Sequence, residues 1–256
     1  MDKCNFEYTT HFRVTRINRV STQFQSSGNQ MKWFINGNFI KLDVFGYESI
    51  AEYLASRLLQ CTDLSSEEYV IYNMCDIYED DKYMGRGCYS KDYRQGYTEV
   101  TFRKLLEHNL LPLSISYEEL LDFLYDATKL NLSSYIQKVL CLDSIIRNDD
   151  RHFGNFAVLK TQNGYKECPI FDNGGGCMSD IYSYPMTERF SSNYSSIYAN
   201  PFKVIFKNQI YGAPILTIDT KKFFSDIYYP NRFVLRAVDT IKSGLSEMEG
   251  VAWKEK

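Results

Sequence analysis

Apolar and polar residues alternate along the first hundred positions and recur at helical spacing after them. Phe12-Arg13-Val14-Thr15-Arg16-Ile17 reads as a half-buried strand, and residues 21–30 are polar. Two short apolar runs, 32–35 and 39–42, flank Asn36-Gly37, the dipeptide that favours the positive-φ turn of a tight hairpin. Ile50, Ala51, Leu54, Leu58 and Leu59 share one face of a predicted helix over 47–60. Strands are expected at 69–74 and 86–90, with an acidic loop at 76–81 between them. From about Thr98 the pattern predicts helix. Ser116-Tyr117-Glu118-Glu119 is a capping box opening a helix to about Leu130. A second helix, 133–147, carries Tyr135, Ile136, Val139, Leu140, Ile145 and Ile146. Short strands at 156–159 and 167–171 flank Asn163-Gly164. Residues 174–200 have little periodicity and predict a mobile loop, and helices from about Lys221 and over 232–246 close the pattern.

Composition narrows the class. The chain has 256 residues, 44% of them hydrophobic, enough for a sizeable core in one or two lobes. A net charge of −3 argues against general nucleic-acid binding. Seven cysteines without a CxxC pair, and three histidines without metal spacing, predict reduced thiols in a cytoplasmic protein. No signal peptide and no membrane-spanning run are apparent.

The chemistry is concentrated in 148–155, Asn-Asp-Asp-Arg-His-Phe-Gly-Asn. Asp150 and Asn155 stand five residues apart, the spacing at which a kinase catalytic loop sets a proton-accepting Asp and a Mg²⁺-binding Asn. Seventeen residues on, Asp172 follows Pro169-Ile170-Phe171 and precedes Asn173-Gly174, a context for a second metal-binding Asp. Lys41, ending the hairpin, and Glu52, on the helix that follows, suit a phosphate clamp and its supporting carboxylate. Asp149 competes with Asp150 for the base role, and the spacing to Asn155 selects Asp150. His152 serves as a second base or as a loop-ordering residue. Gly28 lies where a phosphate-covering loop belongs.

These residues together resemble the HipA-like bacterial serine/threonine kinases, most of all their short standalone members. Asp150, His152, Asn155 and Phe156 match the family's catalytic stretch, and Asp172 sits in its Pro-Ile-Phe-Asp context. Gly28-Asn29-Gln30-Met31-Lys32 matches its phosphate-loop element, and the resemblance covers about residues 12–180. It implies an α+β, two-lobed protein-kinase-like fold, with an antiparallel N-lobe sheet and one helix over 1–96 and a mainly helical C-lobe over 97–256. It implies ATP and Mg²⁺ as cofactors. Asp150, His152 and Asn155 would be catalytic, and Asn155 and Asp172 would hold metal. Gly28, Gln30, Lys32, Lys41, Glu52 and the hinge residues Ser90, Lys91 and Asp92 would hold nucleotide. The implied acceptor is a protein Ser or Thr, with autophosphorylation at Ser21, Thr22, Ser26 or Ser27. A separate antitoxin or inhibitor chain is an implied partner, with no direct nucleic-acid or membrane contact. A small-molecule or lipid kinase of the same fold, and a pseudokinase-type binding module, remain alternatives.

Overall fold

The computed structural model describes residues 10–20, 30–186, 197–212, 215–227 and 231–256. In chain order its first part holds β1 (His11–Val14), β2 (Lys32–Ile35), β3 (Asn38–Leu42), α1 (Glu48–Leu59), β4 (Asn73–Glu79) and β5 (Lys82–Lys91). The second part opens with β6 (Thr98–Thr101), α2 (Phe102–His108), α3 (Tyr117–Thr128), α4 (Ser133–Ile146), β7 (Ala157–Thr161) and β8 (Gly164–Glu167). It closes with β9 (Tyr198–Ala199), β10 (Val204–Ile205), β11 (Leu216–Ile218), α5 (Thr220–Ser225), α6 (Arg232–Met248) and β12 (Trp253–Glu255).

The first sheet runs β1-β4-β5-β3-β2. Asn36 and Gly37 take φ of 50° and 73°, so the predicted hairpin forms and pairs Lys32 with Lys41. The sheet departs from an all-antiparallel one, because β1 pairs parallel with β4. From β1 the chain crosses to the opposite edge, where Arg19 bridges Trp33 and the Val20 N–H donates to the Lys32 carbonyl (3.0 Å). The Glu79 carboxylate fastens the curl, accepting from Arg19 Nε (2.7 Å) and Trp33 Nε1 (3.1 Å). Val14, Trp33, Ile40, Leu42, Cys75 and Ile77 pack together on one face of the sheet.

Further expectations change, and the strand expected at 167–171 lies at 164–167 instead. The acidic stretch 76–79 is strand, and the turn is only Asp80-Asp81, with φ of 48° and 64°. Residues 69–72 precede β4 rather than forming it, bridging to Ile170 instead. Residues 98–101 are strand, not helix, because Thr98 to Thr101 pair in register with β7; the helix waits for Phe102 and takes Thr101 as its cap.

The main core lies among α1, α4 and α6. Nearly every residue of α4 is buried, as expected of a helix apolar on most sides. Helix α6 buries Val234, Ala237, Val238, Ile241, Leu245 and Met248 on one stripe. A Cβ at Gly244 would stand 1.9 Å from the Ile145 carbonyl, so glycine there is what lets α6 lie against α4. Helix α1 is buried on both sides, facing β4 and β5 on one and α4 and α6 on the other. The six described cysteines are free and buried, and no described helix is long and apolar enough to cross a membrane.

Candidate active site

Helix α4 delivers the chain to the site. Arg147 ends it in the left-handed conformation (φ 56°), and Asn148 then braces the turn. Its Nδ2 donates to Asp143 Oδ1 (2.9 Å), and its Oδ1 accepts the Asp150 N–H (3.3 Å). Arg151 points inward, 1% exposed. Its five N–H groups all find acceptors: Asp143 twice (2.8 and 2.9 Å), the carbonyls of Phe171 (2.9 Å) and Asn155 (3.3 Å), and Asn173 Oδ1 (2.7 Å). One guanidinium thereby joins α4, the 150–155 loop and the 171–173 segment.

The two adjacent carboxylates are not equivalent. Asp149 accepts from the Tyr184 hydroxyl. Asp150 faces the cleft, and no described residue hydrogen-bonds its carboxylate. The cleft walls partly desolvate that carboxylate and raise its pKa, an effect that nearby His152 opposes. His152 is itself held below the usual histidine range by burial, and its Nδ1 accepts the Gly154 N–H (3.1 Å). That bond orders the loop. A Cβ at Gly175 would fall 2.8 Å from Asp150 Cβ, so only glycine allows the 174–176 segment to close over the loop.

Strand alternation turns Lys41 away from the Ile40 and Leu42 side and towards α1. Its Nζ meets Glu52 Oε1 at 2.6 Å, Asp172 Oδ1 at 2.7 Å and the Tyr72 oxygen at 3.4 Å. Burial opposes the ammonium, but Asp172 and Glu52 outweigh it and hold its pKa well above the usual lysine value. Glu52, 1% exposed, accepts the Asn173 N–H on its other oxygen (2.8 Å). Asp172 takes φ 58°, and its Oδ2 accepts from Asn155 Nδ2 (2.8 Å) and lies 3.9 Å from Lys32 Nζ. Burial lowers the pKa of Lys32, against the pull of Asp172.

Asn155 and Asp172 suit a hard divalent cation. With Asn155 Nδ2 committed to Asp172, its Oδ1 is buried without a hydrogen-bond partner. Mg²⁺ takes oxygen ligands and is bound through one or two protein groups plus substrate phosphates, so no larger acidic cage is needed. Among the described residues no group of three or more His, Cys, Asp or Glu forms such a cage.

Two connected cavities meet at Lys32 and Asp172. A cleft of about 550 Å³ holds Gln30, Asp150, His152 and Asn155. A narrower, more apolar slot is lined by Val20, Phe39, Tyr72, Ser90, Tyr93 and Phe171, with Glu99 at its wall accepting from the Tyr93 hydroxyl (2.5 Å). Gln30 Nε2 donates to the Leu42 carbonyl (2.7 Å). Of the expected hinge residues, Ser90 lines the slot. The Lys91 side chain is exposed and Asp92 pairs with Arg94 (2.8 Å), so neither side chain enters it. Gly28, Ser21, Thr22, Ser26 and Ser27 lie outside the described residues.

Tyr72, Glu99, Asn173 and the Arg151–Asp143 pair were not anticipated as parts of the site. Arg151 and Asn173 carried a signal, standing next to Asp150 and Asp172; Tyr72, Glu99 and Asp143 carried none. Residues 174–186, read as loop, are partly anchored: Ser179 and Ile181 exchange backbone bonds with Tyr47 and Phe45, and Tyr47 Oη donates to the Cys177 carbonyl (2.8 Å). Asp43, directly after β3, accepts from the Ser49 N–H and hydroxyl (both 2.7 Å). Burial and the Glu48 charge push its pKa up to about 7.

No protein-family model matches the chain, and no curated protein matches it by sequence. Among solved structures it is similar to the Helicobacter pylori proinflammatory kinase CtkA, with 16% identity, a TM-score of 0.60, and 93% of this chain and 94% of that one covered. It is also similar to HipA of Shewanella oneidensis MR-1, solved with HipB and operator DNA, at 13% identity and a TM-score of 0.45, covering 90% of this chain and 58% of that one. The chain therefore shares the α+β fold of the CtkA kinase structure.

Proposed function

We propose that this protein is a HipA-like kinase that transfers the γ-phosphoryl group of ATP to a Ser or Thr hydroxyl of a protein. The nucleotide base would occupy the slot between Phe39 and Phe171. The phosphates would extend past Lys32 and Lys41 to Asp150. Residues 1–96 would supply most of the nucleotide contacts and 97–256 the catalytic loop. Asp150 orients the acceptor hydroxyl and takes its proton as the oxygen attacks phosphorus. Lys41, held by Glu52, presents its ammonium to the phosphate oxygens once its contact with Asp172 opens. Asn155 and Asp172 would hold the metal. Mg²⁺, when bound, neutralises phosphate charge and aligns the γ-phosphoryl group.

The single observation that carries this reading is the convergence of Lys41, Glu52, Asp172 and Asn155 within hydrogen-bond reach of one another, beside an unpartnered Asp150. A separate inhibitor or antitoxin chain and phosphate-loop autophosphorylation belong to the same reading and rest on the sequence resemblance. The test is a ³²P transfer screen from γ-labelled ATP to mixed proteins, aminoglycosides and inositides. Label is expected on protein Ser or Thr. Label confined to a sugar or lipid would replace the acceptor, and no Mg²⁺-dependent label anywhere would remove the reading.

A further inference from the structure

Beyond the catalytic cleft lies a second groove of about 600 Å³ that the chemistry above does not use. His152 and Asn200 line both, so they form the shared wall. Each side of the groove is tied to the catalytic loop: Asn200 Nδ2 donates to the Asp149 carbonyl (2.8 Å), and the Arg103 N–H donates to the Phe153 carbonyl (2.9 Å).

The two cavities differ in charge. Glu48, Asp149, Asp150, Asp172 and Asp180 line the catalytic cleft. Among the described residues no carboxylate lines the groove, which instead carries Arg103 and Lys203 over an apolar floor of Leu113, Ile115 and Phe202. Arg103 Nε is buried without a hydrogen-bond partner, and a buried guanidinium N–H without an acceptor is costly unless something supplies one. Among the described residues, then, the groove sets two cations beside apolar contact with no carboxylate of its own.

We infer that this groove docks the acceptor protein through an acidic side chain flanking the phosphorylated Ser or Thr, paired with Arg103 and Lys203. The inference rests on the kinase reading for the fate of that hydroxyl, but docking itself does not require turnover. A carboxylate in the catalytic cleft would meet five others and one lysine, Lys32, whereas one residue or two away it would meet two cations and no carboxylate of the described residues. Charge therefore sets the direction in which the acceptor segment lies as well as its sequence preference.

The test uses the full chain and fluorescence anisotropy with a fluorescein-labelled peptide, a central Ser flanked by Glu and Leu. A matched peptide carries Gln in place of Glu. The Glu peptide is expected to bind at least about tenfold more tightly, with the advantage shrinking as salt rises. Lys203→Glu, at an exposed position, should remove part of the preference, and Arg103→Glu with Lys203→Glu should remove or invert it. ATP turnover without peptide should stay at the wild-type rate in both. Equal affinity for the two peptides, a preference that survives the double variant, or equally tight binding of a labelled single-stranded oligonucleotide would overturn the inference. Should the Glu peptide bind selectively while nothing is phosphorylated, docking stands and the kinase reading falls. Phosphorylation without preference for the Glu peptide would show the reverse.

Discussion

Two buried charge clusters lie side by side in this molecule and are built on opposite principles. Around Arg151 every donor is used, and both ion-pair partners are 0% exposed at the side chain. Around Lys41 the cluster is unfinished: Asn155 Oδ1 has no partner, Lys32 is buried at long range from Asp172, and Asp150 faces the cleft. A closed cluster of charges fixes the backbone, and its removal exposes uncompensated charge. An open one has valences left for a ligand. Their shared border, the 171–173 segment, means that Arg151 holds in place the aspartate that Lys41 and the metal would use.

The largest effect expected is on the closed cluster. Arg151→Met leaves Asp143 buried without its partner and should lower stability by about 3–5 kcal/mol, read from urea unfolding. Arg151→Met combined with Asp143→Leu should cost less than the sum of the two single changes. A fully additive result would mean that the pair is not a unit.

Asn155→Ala sharpens the contrast from the open side. It removes one hydrogen bond to Asp172 and should cost about 1 kcal/mol of stability, while phosphoryl transfer falls by about 10²-fold or more. A variant as unstable as Arg151→Met would place Asn155 in the scaffold instead. Ligand linkage comes next: ATP with Mg²⁺ at a hundred times Kd should stabilise the wild type by about 2.7 kcal/mol, seen as a higher Tm. The shift should shrink with EDTA and in Asn155→Ala.

A separate effect concerns pH. The folded-state pKa of Asp43 lies near 7, above its ordinary 3.8. Its contribution to stability is therefore fully present below that ordinary value and is lost as pH rises through about 7. Asp43→Asn should remove this increment, so the wild-type advantage measured at low pH should decline towards pH 8. A constant difference would show that Asp43 does not titrate in that window.

Local signals were readable where local chemistry decides the structure. The Asn36-Gly37 hairpin, the Ser116 capping box and the buried stripe of α1 needed no distant partner. The parallel pairing of β1 with β4 and the strand at 98–101 depend on residues about sixty positions away, and nothing in their own sequence announces the partner. The acidic run at 76–79 read as a loop because its charge suits solvent. Within the fold, Glu79 is instead the acceptor for Arg19 and Trp33. The site divides in the same way. Asp150, Asn155 and Asp172 are visible as spacing. Tyr72 and Glu99 are not, since each joins the site only when separate segments meet, and neither does Arg103 announce its place in the groove.

The central claim is that Asp150 works at the mouth of an open charge cluster as the proton acceptor for phosphoryl transfer. The direct measurement is intact-protein and peptide mass spectrometry after incubation with ATP and Mg²⁺, on wild type and on Asp150→Asn. The wild type should gain phosphate on itself or on an added protein. Asp150→Asn should bind ATP equally well, melt no lower, and transfer phosphate about 10²–10⁴-fold more slowly. Equal rates of transfer in the two proteins would contradict the account.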